Sequence, residues 1–481
     1  MKKLNVMQNN KPFFVTTPIY YVNGQPHLGH AYTTIAADVI ARFQKNQGRD
    51  VFFATGTDEH GAKIAIKAKE AGKDPQVFVD EISETFKGLW EKLNIEYTRF
   101  IRTTEPSHIA AVQKVLQVLY DKGAIYKGFY EGLYCVGCEQ FKTEDDLIDG
   151  KCPDHNTVPE MMKEESYLMK MTVLQEGLIR RIKTDELAVR PERYKKEILS
   201  FLEGEKLEDV SVSRKNVSWG IPLPFDETQT TYVWVDAFLN YLTVLGWDGN
   251  SESVSPEWPA DVQFIGKDIL RVHATIWPAI LMHLGIPTQK LLFTHGHILS
   301  GGKKMSKTLG NVIAIDELLE KFGADGTRYL LLSAGPFGED VDVTMERLTE
   351  KYNADLANGL GNLVSRVIKL SETLEGGMTN QKLKENAFPE ELGELLGEYR
   401  LADSLDWIWG KIREANKFVD ETKPWELAKT DEVRFKAVME DLRGKVAVIG
   451  SVLKPFLPST SEKIELALKM GKVEPLFQRI K

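Results

Sequence analysis

A split parallel α/β fold, carrying an inserted smaller domain and ending in an all-α bundle, is what the order of patterns along these 481 residues predicts. Three observations lead there. Strand-like and helix-like stretches alternate near the front. Strand-like runs return after an interruption of about a hundred residues, and from Thr344 onward apolar residues recur at helical spacing.

The first element is "FFVTTPIYYV" (13–22), aromatic and β-branched, which reads as a buried strand. The turn signal "NGQP" follows, then "HLGHAYTTIAADVIARFQKNQG" reads as a helix closed by Gly48. "RDVFFATGTDEHG" is a second strand running into a glycine turn. "DPQVFVDEISETFKGLWEKL" opens with Asp74 as N-cap and Pro75 at the first helical position. In parallel sheets of this kind ligands sit outside the carboxyl ends of the strands. "PIYYVNGQPHLGH" and "TGTDEHG" both fall there.

From about residue 123 the pattern breaks into short aromatic and polar pieces that hold all three cysteines. Strand character is expected again at "TYVWVDAF" (231–238), "VQFIGKD" (262–268) and "LLFTHGHIL" (291–299). Leu401, Leu405, Ile408, Ile412, Ala415 and Val419 form one helical stripe ended by Pro424, and Phe435, Val438, Leu442, Val446, Ile449 and Leu453 form another. Both read as bundle core. The expected division is 1–122 and 229–343 for the two halves of the sheet domain, 123–228 for the insertion and 344–481 for the helical domain.

Composition narrows the class. A hydrophobic share of 42% with 27% charged residues is that of a globular protein. No apolar run approaches the ~20 residues of a membrane helix, and the start has no secretory h-region, so no membrane association is expected. Three cysteines in a chain this long argue against a disulfide framework and for a reducing, cytoplasmic setting. The net charge of −9 weighs against wholesale coating of nucleic acid but leaves room for a structured RNA met by local patches.

Two short motifs carry the chemistry. In "HLGH", His27 and His30 flank Gly29 at a strand-to-helix junction, where unpaired N–H groups and the helix dipole favour anions. In "GGKKMSKTLG" (301–310), Lys304 and Lys307 stand three apart in a glycine-bracketed loop. Alone, those lysines read first as solvated side chains on a turn. Together with HLGH on a split α/β domain, the sequence resembles the class I aminoacyl-tRNA synthetases, which carry HIGH and KMSKS signatures in this order. The resemblance implies a Rossmann-like catalytic domain. It also implies a mobile loop whose lysines meet the ATP triphosphate, because nucleotidyl transfer needs positive charge where negative charge accumulates. His27, Gly29, His30, Lys304 and Lys307 are the implied ATP-binding and catalytic residues, with ATP arriving as its Mg2+ complex. Thr308 stands where serine is usual.

Across almost the whole chain the sequence is similar to the methionyl-tRNA synthetase family, through "TTPIYYVNGQPHLGHAYTT", "TGTDEHG", "SRKNVSWGIPLPF", "YVWVDAFLNYL", "FIGKDILRVHATIWP" and "HGHILSGGKKMSKTLGN". This implies ATP-dependent ligation of L-methionine to initiator and elongator tRNA(Met) through methionyl-adenylate. Ile19, Tyr21, Trp234, Tyr241, Ile269 and His273 would form the methionine pocket, and Asp58 would take the α-ammonium. A polarizable thioether against aromatic edges suits that set. Homocysteine is one methyl smaller, so disposal by cyclisation of its activated form is a further implication. Asp236 is read as a local cap or orienting group.

Cys135-x2-Cys138-x13-Cys152-x2-His155 has zinc-knuckle spacing, with thiolate and imidazole donors suited to Zn2+. Four protein ligands leave no open position, so one structural zinc ion is expected. Asn362 and Arg366 lie four apart on one helical face, and Trp425 follows Pro424. The resemblance assigns these three to the CAU anticodon, consistent with stacking and edge recognition of unstacked bases. The sequence ends at Lys481 without a further tRNA-binding module, so a monomer is expected. Two rivals stand beside this reading. One is a synthetase or nucleotidyltransferase for another acid; the other is an RNA-binding paralogue without activity. Methionine-dependent exchange of pyrophosphate into ATP separates all three.

Overall fold

β1 (Phe13–Tyr21) begins the fold, and α1 (Leu28–Asn46) follows it, closed by Gly48 at φ +77°. The computed structural model describes residues 11–137, 140–142, 147–153, 155–215, 217–305, 311–372, 388–472 and 474–481. β2 (Val51–Asp58), α2 (Ala62–Glu70), α3 (Pro75–Lys92), β3 (Arg99–Arg102) and α4 (Pro106–Asp121) continue the alternation. At the start of α3 the Asp74 carboxylate accepts the Gln76 N–H at 2.9 Å, the cap expected from sequence.

A long hairpin follows, β4 (Ile125–Cys135) against β6 (Glu160–Met169), with β5 (Gln140–Lys142) on one side. Next come α5 (Gln175–Lys183), β7 (Ala188–Arg190), α6 (Glu192–Gly204) and β8 (Val210–Ser211), the last completing a sheet of order β5-β4-β6-β8. β9 (Ser213–Arg214), β10 (Pro222–Leu223) and β11 (Asp226–Thr231) form a small antiparallel sheet.

"TYVWVDAF" departs from expectation. Only Thr231 is in a strand; α7 (Val233–Phe238) and α8 (Asn240–Thr243) take over. Bulky residues at 234, 238 and 241 lie four and three apart, and that helical spacing outweighs the β-propensity of the aromatic run. β12 (Val262–Gly266), α9 (Leu270–Ala274), α10 (Ile276–Leu284) and β13 (Leu291–His295) return to the α/β pattern.

The principal sheet has six strands in the order β3-β2-β1-β12-β13-β7, with β3 parallel to β2, β2 to β1, β1 to β12 and β13 to β7. Its two central strands, β1 and β12, come from opposite sides of the intervening segment, so the parallel sheet is split along the chain. β7, from within that segment, forms one edge.

β14 (Ile298–Ser300) and β15 (Lys303–Lys304) make a hairpin, α11 spans Ile315–Leu332, and β16 (Val341–Asp342) pairs with β14. α12 (Met345–Lys351) then leads through a π-helix (Tyr352–Gly361) into α13 (Asn362–Ser371), α14 (Glu390–Gly397), α15 (Leu401–Thr422), α16 (Pro424–Thr430), α17 (Glu432–Leu453) and α18 (Pro458–Met470). Every residue of the two stripes read from sequence is buried in α15 or α17.

Two compact units result. One comprises Met1–Pro26, Asp50–Gly88 and Tyr97–Thr294; the other comprises His27–Arg49, Leu89–Glu96 and His295–Lys481. The first has a large apolar core running from Phe14 to Leu292, with Trp277, Phe238 and Tyr241 among its fully buried side chains. The second is held in part by Arg328 and Asp38, both wholly buried and 2.7 Å apart. No described helix is long and apolar enough to cross a membrane.

Candidate active site

In the first unit, three consecutive polar residues, Asp58, Glu59 and His60, stand at the carboxyl end of β2. Asp58 is buried and pairs in register with Tyr21 of β1. Glu59, fully buried, receives Arg102 through Nε at 2.7 Å and Nη2 at 2.9 Å, while the Thr57 hydroxyl donates to it at 2.7 Å. Such a bidentate pair fixes geometry as well as charge. His60 donates from Nδ1 to Asp236 at 2.7 Å, and His108 donates from Nε2 to the other oxygen of Asp236 at 2.8 Å. Burial works to raise the Asp236 carboxyl, but the His60 charge and the bonds from both histidines outweigh it and hold it below its ordinary value. Asp236 therefore anchors α7 to the turn after β2 and to α4, beyond the local role read from sequence.

Trp234, Tyr241 and His273 come together on α7, α8 and α9. The Tyr241 hydroxyl and His273 Nε2 are 2.9 Å apart, and His273 Nδ1 is 2.9 Å from the Ile269 carbonyl oxygen. Because Nδ1–H donates to that carbonyl, the neutral imidazole accepts the Tyr241 O–H at Nε2. Burial pushes His273 down to about 4, with the Ile269 bond and the Asp268 charge opposing the shift, so the ring is uncharged near neutrality. Trp234 and Phe238 meet this imidazole edge to face at 6.2 and 4.9 Å. Ile19, Trp234 and Ile269 pack on the apolar core that includes Tyr241. The result is an aromatic, uncharged wall containing one hydroxyl and one imidazole.

In the second unit, His27 is the N-cap of α1. Its Nδ1 accepts the Gly29 N–H at 3.1 Å, and His30 Nδ1 accepts the His27 N–H at 3.3 Å. This is a capping box made with imidazoles in place of hydroxyl and carboxylate. The rings stack with centroids 3.5 Å apart, and a Cβ at Gly29 would stand 3.1 Å from the His27 ring. Since both Nδ1 atoms accept, each neutral ring keeps its proton on Nε2. Burial, then the His27 charge, holds His30 well below its usual value. Two N–H donors thus stand beside a helix N-terminus.

Lys304 is exposed on β15, paired with Leu299. Sequence placed it in a loop; the structure makes it the second strand of a hairpin. Gly301 and Gly302, at φ +63° and +73°, supply the two left-handed residues of the turn, and Asp342 accepts the Gly302 N–H at 2.8 Å. Asn311 donates to the carbonyls of Ser300 and Lys304, each at 3.3 Å. Lys307 and Thr308 lie outside the described residues.

Cys135, Cys152 and His155 bring their ligand atoms within 4.8 Å of one another, a group that could hold a metal ion. A Cβ at Gly137 would stand 2.5 Å from the His155 ring, so the absence of a side chain there is what lets the imidazole approach. Cys138 lies outside the described residues. In the helical region Arg366 meets Asp420 at 2.8 Å and lies over the Trp425 ring at 5.5 Å, while Asn362 is exposed at the first position of α13. The Glu59–Arg102 pair and the Asp236 bridge have no local sequence signal, because their partners are 43, 128 and 176 residues away.

The family of tRNA synthetases class I (M) matches residues 13–158 and 145–368. Methionine–tRNA ligase of Clostridium acetobutylicum is 43% identical over 478 residues, covering 96% of this chain and 74% of that protein. The Thermotoga maritima ligase of the same name is 41% identical over 468 residues, covering 94% and 74%. Among solved structures, Mycobacterium tuberculosis methionyl-tRNA synthetase in complex with methionyl-adenylate is similar with a TM-score of 0.87 and 34% identity, over 95% of this chain and 93% of that one. Its apo form gives 0.79 and 31%, over 94% and 91%. With matches of this extent to the sequence and to the fold, the chain belongs to the methionyl-tRNA synthetases of class I.

Proposed function

We propose that this chain joins L-methionine to initiator and elongator tRNA(Met). The methionine carboxylate attacks the α-phosphorus of ATP, giving methionyl-adenylate and pyrophosphate. A ribose hydroxyl at the tRNA 3′ end then attacks the activated carbonyl and releases AMP. Residues 1–122 and 229–343 act as the catalytic domain, 123–228 as its insertion and 344–481 as the anticodon-binding domain.

The observation that carries the reading is the neutral Tyr241–His273 pair within aromatic walls. A thioether is apolar, weakly accepting and polarizable, and gains about 0.3–1.5 kcal/mol against an aromatic edge. Ile19, Tyr21, Trp234, Ile269, Tyr241 and His273 receive the side chain, and Asp58 binds the ammonium group. The Nε2–H donors of His27 and His30 hydrogen-bond phosphate oxygens, and Gly29 leaves space for the nucleotide beside them. Lys304 and Lys307 hold the triphosphate as charge moves to the leaving pyrophosphate, and Mg2+ arrives with ATP to neutralise part of that charge.

Zn2+ is the metal we assign to Cys135, Cys138, Cys152 and His155. Zn–S near 2.3 Å and Zn–N near 2.0–2.1 Å at tetrahedral angles put sulfur and nitrogen ligands about 3.6 Å apart. The Cys152 Sγ to His155 Nδ1 distance of 3.8 Å fits that spacing. The ion would supply cross-links that stabilise the insertion, with no open position for chemistry. Asn362, Arg366 and Trp425 read the CAU anticodon, supported by the Arg366–Trp425 arrangement.

The test is amino-acid-dependent exchange of labelled pyrophosphate into ATP, followed by charging of tRNA(Met). Methionine should support exchange at least about 100-fold better than leucine or isoleucine. Exchange driven by another amino acid, or none with tRNA still bound, would overturn the assignment.

A further inference from the structure

We propose that the extended segment Pro475–Phe477 forms one wall of a pocket for a single unstacked nucleobase, opposite the π-helical turn that precedes Asn362. The inference rests on the anticodon reading of Asn362, Arg366 and Trp425 and deepens it by adding the residues that enclose one base.

The helical wall comes first. Residues Tyr352–Gly361 form ten consecutive π-helical residues running directly into α13. π turns appear mostly as single-turn bulges, frequently at functional sites. Gly361 belongs to the wide turn, since a Cβ there would stand 3.0 Å from the Leu356 carbonyl oxygen, five residues back. The widened turn leads into the first residue of α13, Asn362, whose side chain is exposed.

The opposite wall is tied to the same element. Asn353 donates from Nδ2 to the Ile480 carbonyl at 2.8 Å and accepts the Ile480 N–H at Oδ1, 2.9 Å away. This reciprocal pair holds an irregular segment to the π-helix as a strand partner would. The Phe477 ring meets Tyr352 edge to face at 5.9 Å and remains half-exposed.

Between the walls lies a cleft of about 370 Å³, lined by Asn358, Asn362 and Ser365 on the helical side and by Pro475, Leu476 and Phe477 on the other. That volume is at the low end of small-molecule sites, suited to one flat ring. Among the described residues no charged side chain lines it. Two carboxamides and a hydroxyl offer both donors and acceptors, and an aromatic ring and a proline offer flat apolar faces. A phosphate would find no cation and a cation no carboxylate. An uncharged planar ring with a mixed donor–acceptor edge, a nucleobase, satisfies every group. Arg366 lies one turn beyond Asn362 on the same helix face, placed to meet the adjoining nucleotide.

The experiment measures binding of a labelled anticodon stem-loop RNA by the full chain, for the CAU loop and for three loops each changed at one anticodon base. Phe477→Ala and Phe477→Leu should weaken CAU binding about tenfold. At one anticodon position they should also reduce discrimination by a similar factor, because only the matching base uses the wall. Phe477→Tyr should stay within about twofold. If Phe477→Ala does not fold, the Leu and Tyr variants, which keep most of the packing on Tyr352, carry the comparison. Discrimination unchanged at all three positions, or Leu binding like Tyr, overturns the proposal. Asn362→Ala separates the two levels. If it collapses discrimination while Phe477 variants do not, only this inference fails; if it leaves discrimination intact, the anticodon reading fails with it.

Discussion

His273 shows how much one buried side chain settles. Its Nδ1–H is committed to Ile269, so Nε2 is an acceptor, and burial keeps it uncharged down to about pH 4. Its folded value lies below the unfolded one, near 6.5, so between those values the unfolded chain binds the extra proton and acidification costs stability. Methionine affinity should therefore be flat from pH 8 to 6. Tyr241→Phe removes the only described donor to Nε2, and a buried acceptor left unmatched costs about 1–3 kcal/mol. The KM for methionine in pyrophosphate exchange should rise roughly 5- to 150-fold, with the KM for ATP within about twofold; an unchanged methionine KM would remove Tyr241 from the pocket. Resemblance singled out Asp58 and His273 in the sequence. It did not reveal what Glu59, His60 and Asp236 do, because a charge reveals its partner only once the chain has folded.

At the scale of elements, alternation and capping made most helices and strands legible, and the failures have physical causes. "TYVWVDAF" has strand composition, but Trp234 and Phe238 within it and Tyr241 just after it meet an apolar core at helical spacing, and tertiary burial prevails over propensity. The glycine-bracketed "SGGKK" read as a loop, yet two left-handed glycines in succession make a tight two-residue hairpin. That hairpin sets the position of Lys304. Gly302→Val forces a β-branched residue into the left-handed region at a cost of about 1–2 kcal/mol. Adenylate formation should slow roughly 5- to 30-fold with methionine KM nearly unchanged, while Gly302→Asn, which tolerates that conformation, keeps most of the rate. Pyrophosphate exchange at saturating methionine measures both. A Val variant as fast as wild type would mean that Lys304 needs no fixed hairpin.

At the scale of the molecule, the second compact unit is assembled from three separated stretches of chain, and its wholly buried ion pair explains how they cohere. Arg328 donates to Asp38 and also to the carbonyls of Leu93, Pro455 and Phe456, while Asp38 accepts Arg42 and the Glu96 N–H. One guanidinium and one carboxylate thus tie α1, the end of α3 with the turn after it, α11 and the link between α17 and α18. Sequence marked none of this, since a lone Asp and Arg 290 residues apart carry no pattern. Removing one partner of a buried pair typically costs about 3–5 kcal/mol; without Arg328, Asp38 keeps Arg42 but the carbonyls of Leu93, Pro455 and Phe456 lose their donor. Arg328→Met should lower stability by that order, read as faster amide exchange in α1 and α11 and a lower urea midpoint. Because Asp38 also accepts Arg42, Asp38→Asn added to Arg328→Met should cost less than it does in the wild-type chain, so the double variant should lose less than the sum of the two single losses. A double variant that merely sums the two single losses would mean the charges do not act as a pair, and that the three stretches are held by apolar packing.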